Sequence, residues 1–441
     1  MAVVLCIGTP DFQTAIDNAI MDSQFHRNII EPLKRMDKLI LCFHVILLFT
    51  GVVFIYGAGK EVGGTLAHKW IQQLQWITVG IVVYFACAAM DYHKLGRISW
   101  IFYSISMLLL LYVAIFGITI NNARSWISIA GLSIQPSEFA KPATLLFMSW
   151  AVTHPNWHKS PIPPWVLIGL IIFPPLLLVL LQPDFGTALV FIPFSIALAI
   201  VKGLRWKWLI LAAAVLLIMF PLFFQFLKPH QKARVKVFLE APTNAVLAAM
   251  SPILSDARMN KLQEAKENFF AEDDHAAHDG KSSKKTTNQR DDWNARQSLL
   301  AVGSGGITGK GFLKGTQHVL GYLPRKVSPT DFIFSVIAEE TGFFGSAMLL
   351  VCFASIILCG CRTALLSHDQ FGVCLALGVS AILATHTFIN IGMTVQAAPI
   401  IGIPLPFVSY GGSFMVSIMA LAGLSQSVHI HQEDNGNVSE V

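Results

Sequence analysis

Leu39-Ile-Leu-Cys-Phe-His-Val-Ile-Leu-Leu-Phe-Thr-Gly-Val-Val-Phe-Ile-Tyr-Gly-Ala58 is an almost unbroken apolar run. It is long enough to cross a bilayer, since a transmembrane helix needs roughly 20 such residues. Further stretches of the same kind lie at 70–90, 99–120, 137–154, 164–181, 185–201, 207–227, 331–360, 371–396 and 404–430, ten in all. That pattern predicts an all-α polytopic membrane protein of about ten transmembrane helices. Composition agrees: 54% of the 441 residues are hydrophobic and 13% charged, against about 25% charged in soluble chains. The mean hydropathy is +0.59. Because a bundle is counted in helices, the length reads as one membrane domain over 38–430, with an N-terminal arm at 1–37 and a tail at 431–441.

The formal charge of +5 is modest. No basic run is interleaved with aromatics, which argues against a nucleic-acid partner. The seven cysteines, Cys6, Cys42, Cys87, Cys352, Cys359, Cys361 and Cys374, lie in or beside apolar stretches or in the N-terminal arm. Neither a disulfide framework nor a zinc site is expected. No cleavable signal peptide is expected either, because Asp11, Asp17 and Asp22 interrupt the first thirty residues.

Basic residues orient the spans. Arg27, Lys34, Arg35 and Lys38 precede the first, and Lys94, Arg97, Lys159, Lys202, Arg205, Lys207 and Arg362 fall on the same side if the spans alternate. The opposite short loops carry only Lys60, Lys69 and Arg124. The positive-inside rule then predicts a multi-pass protein with both termini cytoplasmic. The polar segment 228–330, between the seventh and eighth spans, becomes a large extracytoplasmic loop, too long for a mere connector. Within it, 243–290 reads as a variable, solvated insertion. Its Asp273, Asp274, His275, His278 and Asp279 offer a divalent-ion site as the sharper alternative to a plain linker.

An ionisable group inside hydrocarbon costs on the order of 2.5–3.5 kcal/mol even on a forgiving scale, so each one is a functional candidate. Four constellations meet that test. The first joins Arg124 to Gln135-Pro-Ser137-Glu138-Phe-Ala-Lys141, where Glu138 and Lys141 share a helical face and can pair. On spacing alone this is a structural ion pair. The second is Gln182-Pro-Asp184-Phe-Gly186-Thr187, a tight turn in which Asp184 can cap the next helix. The third runs from Gly303-Ser-Gly-Gly306 through Gly309-Lys310-Gly311 and Gly315-Thr-Gln317 to Thr330-Asp331-Phe-Ile-Phe, followed by Glu339 and Glu340. Such glycines can present amides and Lys310 to a phosphate, or simply pack a re-entrant loop; the spacing is not that of a P-loop. The fourth is Asn390 with Pro404-Leu-Pro406-Phe-Val-Ser409-Tyr410-Gly411-Gly412-Ser413, a broken-helix entry tolerated only beside protein or a wet cavity.

In this order, these motifs resemble the SEDS family (shape, elongation, division and sporulation), the integral-membrane peptidoglycan polymerases. The resemblance spans nearly the whole chain after residue 37, and the glycine-rich stretch is closer to the RodA-type, rod-shape-determining branch than to the division branch. It implies a glycosyltransferase of the bacterial inner (cytoplasmic) membrane that polymerises lipid II, the undecaprenyl-diphosphate-linked disaccharide-pentapeptide, into glycan strands during elongation and releases undecaprenyl diphosphate. It also implies a class B penicillin-binding protein and other elongation proteins as partners.

A positioned carboxylate would take the proton of the attacking sugar hydroxyl, typically worth about 10²- to 10⁴-fold, and inversion at the anomeric carbon needs only one. The leaving diphosphate needs cations, for which Arg124, Lys141, Arg234 and Lys310 are available, or a divalent magnesium or manganese ion. In the family the base is expected in the large outer loop, as an Asp-Pro followed by Gly-Tyr or Gly-Trp and then Gln-Ser. Here counting from the left gives Asn244 and counting back from Gln297-Ser298 gives Thr287, neither a carboxylate. If Trp293-Asn294 replaces the aromatic-polar pair, Asp292 takes the place with Asp291 beside it. Glu240 and the Asp273-Asp274 pair are the alternatives. Asp331, Glu339 and Glu340 form a second acidic set at the mouth of the eighth span, where Asp331 can also serve as a cap. Two other functions fit ten helices and a polar cavity: a lipid II flippase, and a non-catalytic scaffold of the elongation machinery.

Overall fold

The computed structural model describes residues 31–60, 67–120, 123–129, 132–155, 162–211, 285–320, 322–323 and 327–432, with a few isolated positions between 214 and 264. After a short helical turn at Glu31–Lys34, the chain forms α1 (Lys38–Lys60), α2 (Lys69–Ala89) and α3 (Tyr92–Phe116). Strands β1 (Ile118–Ile120), β2 (Ala123–Ile129) and β3 (Leu132–Ile134) follow, then α4 (Pro136–Thr153), α5 (Pro164–Leu181) and α6 (Phe185–Val201). Beyond the next described segment come α7 (Lys285–Ser304), α8 (Ile333–Leu366), α9 (Gln370–Thr394) and α10 (Gly412–His431). The fold is that of a polytopic helical membrane protein: among the described residues seven helices, α1, α2, α3, α5, α8, α9 and α10, are long and apolar enough to cross a bilayer, and α6 is a shorter apolar helix. The expected span at 207–227 lies largely outside the described residues, as do most of the insertion at 243–290, Arg234, Glu240 and the Asp273–Asp279 cluster.

Helices α9 and α10 are mostly buried, whereas α1, α2, α3, α5 and α8 turn large apolar side chains such as Phe49, Leu108, Phe173 and Val351 outward. An outward apolar surface is what hydrocarbon solvates. Close approach between the helices comes from small residues. A Cβ on Gly423 of α10 would run into the Tyr84 carbonyl of α2, and one on Gly51 of α1 would lie 2.7 Å from the Val408 carbonyl.

Two faces follow from the alternation. The terminal face holds the start of α1, the α2–α3 turn, the α8–α9 turn and the end of α10, tied together by Gln426 to Asp37 and Ser427 to Met90. The site face holds the starts of α2, α4, α6, α8 and α10 and the β-strands.

Four local expectations are corrected. The third span starts earlier and stops sooner than 99–120, because Asp91 caps α3 at His93 N and Gly117 leaves the helix in an extended conformation. Strands β1, β2 and β3 then form an antiparallel meander in the order β1-β2-β3, with Ile118 opposite Trp126 and Ile127 opposite Ile134. The segment around Asp291 and Asp292 is helical rather than loop. Finally, α8 is interrupted at Gly342, whose φ of 69° no other residue type adopts without strain.

Between α9 and α10 the chain turns back into the bundle. Ile403 lies against Asn390 and Pro404 against His386, one turn deeper along α9. Val408 packs on Gly51, about 13 Å from the site-face end of α1 at roughly 1.5 Å per residue. Leu405, Phe407, Val408 and Ser409 are all buried, so this re-entrant segment sits beside protein, as its proline- and glycine-broken sequence requires.

Candidate functional site

The first turn of α4 and the start of α6 meet at Asp184. Its Oδ1 accepts from the Thr187 amide at 3.1 Å, which is the expected cap. Its Oδ2 accepts from Gln135 Nε2 at 2.6 Å, from the Thr187 hydroxyl at 2.9 Å and from the Ser137 hydroxyl at 3.5 Å. A carboxylate with this many donors is fixed as a strut between two helices. Neighbouring Gln182 is buried and donates to the Leu110 carbonyl at 2.9 Å, holding the same turn to α3.

One turn further along α4, Lys141 Nζ stands 2.7 Å from Glu138 Oε2, confirming the pair expected from their spacing. Both are buried, 0% and 3% exposed. Lys141 also meets His386 Nε2 of α9 at 3.1 Å and lies 5.5 Å from the Phe414 ring centroid of α10. The pair therefore ties three helices together.

The glycine-rich stretch after α7 packs onto the interruption in α8. Lys310 and Gly311 amides donate to the Glu339 and Glu340 carbonyls at 3.1 and 2.9 Å, and Phe343 N donates to Gly306 O at 2.9 Å. A Cβ on Gly305, Gly309 or Gly342 would collide with backbone. Of the two readings of these glycines, the packed loop is the one the structure adopts. Lys310 Nζ is 2.6 Å from Glu339 Oε1, which also accepts from the Thr316 amide at 2.6 Å, the Thr316 hydroxyl at 3.0 Å and the Gln317 amide at 3.0 Å.

The acidic set at the mouth of α8 is consequently divided. Asp331 precedes the helix, whose N-cap is Phe332 with no side-chain cap, while Glu339 and Glu340 are buried two turns further on. Asp331 faces Gly402 of the re-entrant segment, and its carbonyl accepts from Asn390 at 3.0 Å. Ser409 is also structural: it is buried, donates to Thr330 O at 2.6 Å and accepts from Leu405 N at 2.8 Å. Tyr410, more open, donates to Gln72 at 2.7 Å beneath Lys69, whose Nζ is 4.7 Å from its ring centroid.

The four cations expected near a diphosphate thus separate. Lys141 and Lys310 are engaged with carboxylates, Arg124 is exposed on β2, and Arg234 lies outside the described residues. Asp291 and Asp292 fall within α7, which is anchored one to two turns later: Ser298 is buried, 2.6 Å from the Ser335 hydroxyl of α8, and donates to Thr394 O of α9 at 2.9 Å. Trp293 Nε1 donates to Tyr322 O at 3.2 Å. Among the described residues no three His, Cys, Asp or Glu side chains gather as metal ligands. The sequence reading missed His386, and it named Thr187 within the second constellation without giving it a role. His386 carried a usable signal, an ionisable side chain within an apolar stretch.

A helical membrane bundle with polar struts concentrated on one face is the class these observations define. The chain belongs to the cell cycle protein family of FtsW, RodA and SpoVE, whose model matches residues 37–251 and 281–434. It is 29% identical over 436 residues to peptidoglycan glycosyltransferase RodA of Treponema pallidum, covering 91% of this chain and 99% of that one. It is 30% identical over 400 residues to peptidoglycan glycosyltransferase MrdB of Escherichia coli K12, covering 90% and 93%. Among solved structures it is similar to a chain of a peptidoglycan synthase complex that coordinates polymerization and crosslinking, with TM-score 0.68, 24% identity, and 90% and 98% coverage. It is also similar to the rod shape determining protein RodA of Thermus thermophilus, with TM-score 0.57, 22% identity, and 90% and 97% coverage.

Proposed function

We propose that this protein is a peptidoglycan glycosyltransferase that polymerises lipid II into glycan strands at the extracytoplasmic face during elongation, with Asp292 as its base and Asp291 as the nearest substitute. The reading rests on the family and on relatives over nine-tenths of the chain that are named for this activity. The observation that carries the site is the anchoring of α7, the helix bearing both aspartates, at Ser298 against α8 and α9.

In the proposed step a sugar hydroxyl attacks the anomeric carbon of the donor from the side opposite the leaving group. The new glycosidic bond forms, the bond to the diphosphate breaks, the hydroxyl proton passes to Asp292, and undecaprenyl diphosphate leaves with the electron pair. Exposed Arg124 supplies positive charge on the site face, and Arg234 belongs to the same proposal. A magnesium or manganese ion at the leaving diphosphate is a further part of the reading, decided by whether chelation stops turnover and either ion restores it.

Both termini are assigned to the cytoplasm, with the site face outside. A class B penicillin-binding transpeptidase and other elongation proteins are the proposed partners; the similarity to a chain of a polymerising and crosslinking complex supports the first. The test supplies labelled lipid II to the purified protein with its cognate transpeptidase and looks for glycan strands. Wild type is expected to polymerise, and Asp292→Ala to lose at least about 10²-fold. An inactive wild type, or a fully active Asp291→Ala/Asp292→Ala double variant, overturns the mechanism. Lipid II translocation without glycan strands, and unimpaired by Asp292→Asn, would favour a flippase.

A further inference from the structure

His386 has no place in the mechanism above, yet it is 1% exposed and touches the most deeply buried ion pair described. Its two ring nitrogens have distinct partners. Nδ1 lies 3.2 Å from the Pro404 carbonyl, which can only accept, so the ring proton sits on Nδ1. Nε2 is then a lone pair, and it faces the Lys141 ammonium, which can only donate, at 3.1 Å. The three donor directions of Lys141 are thereby accounted for: the Glu138 carboxylate, the His386 imidazole and the face of Phe414. The imidazole is packed against that same Phe414 ring, with centroids 5.0 Å apart. A buried ammonium needs every donor directed at an acceptor, because desolvation is not otherwise compensated.

Pro404 belongs to the re-entrant segment that carries Ser409 and Tyr410 and leads into α10, while Glu138 and Lys141 follow directly on the Gln135–Ser137–Asp184 strut. His386 joins those two parts of the site at the buried ion pair, alongside the Gln135 amide, which donates to the Ser413 hydroxyl at 3.3 Å, and Gly186, which packs against Ile401 and Ile403. We propose that His386 is a positioning residue for glycan polymerisation: through Nε2 it holds the Lys141 ammonium against Glu138, and through Nδ1–H it fixes the re-entrant segment in register with α4. The proposal rests on the glycosyltransferase reading, and its test separates the two.

Glutamine and asparagine each reproduce half of the ring. The end of a glutamine side chain reaches the Nε2 position and keeps an acceptor for Lys141 without the Pro404 bond. Asparagine reaches the Nδ1 position and keeps the Pro404 bond without the Lys141 acceptor. The charge-assisted half is the stronger. Full-length protein purified with its transpeptidase is assayed on labelled lipid II, with thermal stability measured on the same samples. His386→Asn is expected to lower kcat about tenfold or more with KM within about twofold, and His386→Gln to restore most of that loss. Introduced into Glu138→Gln, His386→Asn should add less than about threefold, because the group it acts through is already displaced. Equal rates for the Asn and Gln variants, full additivity with Glu138→Gln, or losses that track only the folded fraction would overturn the proposal. An inactive wild type would instead overturn the glycosyltransferase reading, and the Asn and Gln variants would then be compared by the stability of the purified protein. His386→Asn no less stable than His386→Gln would overturn the Lys141 contact itself.

Discussion

The two faces of the bundle solve the same problem differently. On the terminal face, α1, α3 and α9 start on a local aspartate cap, while α5 follows Pro163 without one. Asp91 accepts from the His93 amide at the start of α3, and Asp369 accepts from the Phe371 and Gly372 amides at the start of α9. The imidazole of His93 sits between these aspartates, 3.0 Å from Asp91 and 3.5 Å from Asp369, and Tyr92 donates to Asp369. On the site face, α2, α4, α8 and α10 begin without a side-chain cap, and α6 alone among these starts has one, from Asp184. Left-handed backbone is gathered there as well: Leu313, Gln396, Phe407, Gly306, Gly309, Gly311, Gly342 and Gly402, against Gly203 on the terminal face. Strained conformations persist only where surrounding structure over-determines them, and they gather where a protein holds a shape for function. One face is built for stability from local rules, and the other holds irregular backbone in place with long-range contacts.

The contrast breaks most severely at the buried pair. Lys141→Met leaves Glu138 without its cation and is expected to cost about 3–5 kcal/mol. Adding Glu138→Leu should recover much of that, because no buried charge remains. Thermal unfolding of the purified protein in detergent reads both, and a double variant no better than the single one would deny that the charge is the cause.

Next come the glycines. Gly309→Ala and Gly342→Ala combine left-handed strain with a Cβ directed into backbone, and each should cost about 2–5 kcal/mol. Gly203→Ala carries the same kind of strain, at φ 88°, but its Cβ meets nothing within 4 Å. Its cost should be only about 1–2 kcal/mol, with polymerisation unchanged per folded molecule. Equal melting shifts for the three variants would erase the difference between the faces.

The smallest effect belongs to the terminal-face cap. Burial pushes the Asp369 carboxyl up, but hydrogen bonds from His93, Tyr92 and the Gly372 amide outweigh it and hold the group at about 2 against an ordinary 3.8. A lowered folded value favours the folded state fully above about pH 4, and that advantage is lost as pH falls through about 2. Asp369→Asn should cost about 1 kcal/mol near neutrality and flatten this part of the acid titration of stability. An unchanged acid profile in the variant would remove Asp369 from the account.

Wherever the chemistry was local, the sequence was legible. Nine of the expected apolar stretches correspond to helices, Glu138 and Lys141 pair at three-residue spacing, Asp184 caps α6, and the Pro404-to-Ser413 stretch is the broken entry its prolines and glycines suggested. The β-meander was hidden because alternation over a few residues is a weak signal beside a long apolar run. Lys310 and Glu339, by contrast, were each noticed but never joined, since they are separated by 29 positions and met through a glycine loop.

By itself, then, the sequence determined the solvent, the helices and the local pairs, because hydrophobic length and i,i+3 spacing are properties of a short segment. Only the tertiary structure decided which charges are available. It placed His386 against Lys141 across 245 positions, engaged Lys310 with Glu339 and turned the 395–411 segment back into the bundle. The reason is physical: a buried polar group must be satisfied by whatever the fold brings within about 3 Å, and in a membrane bundle that neighbour usually comes from another helix.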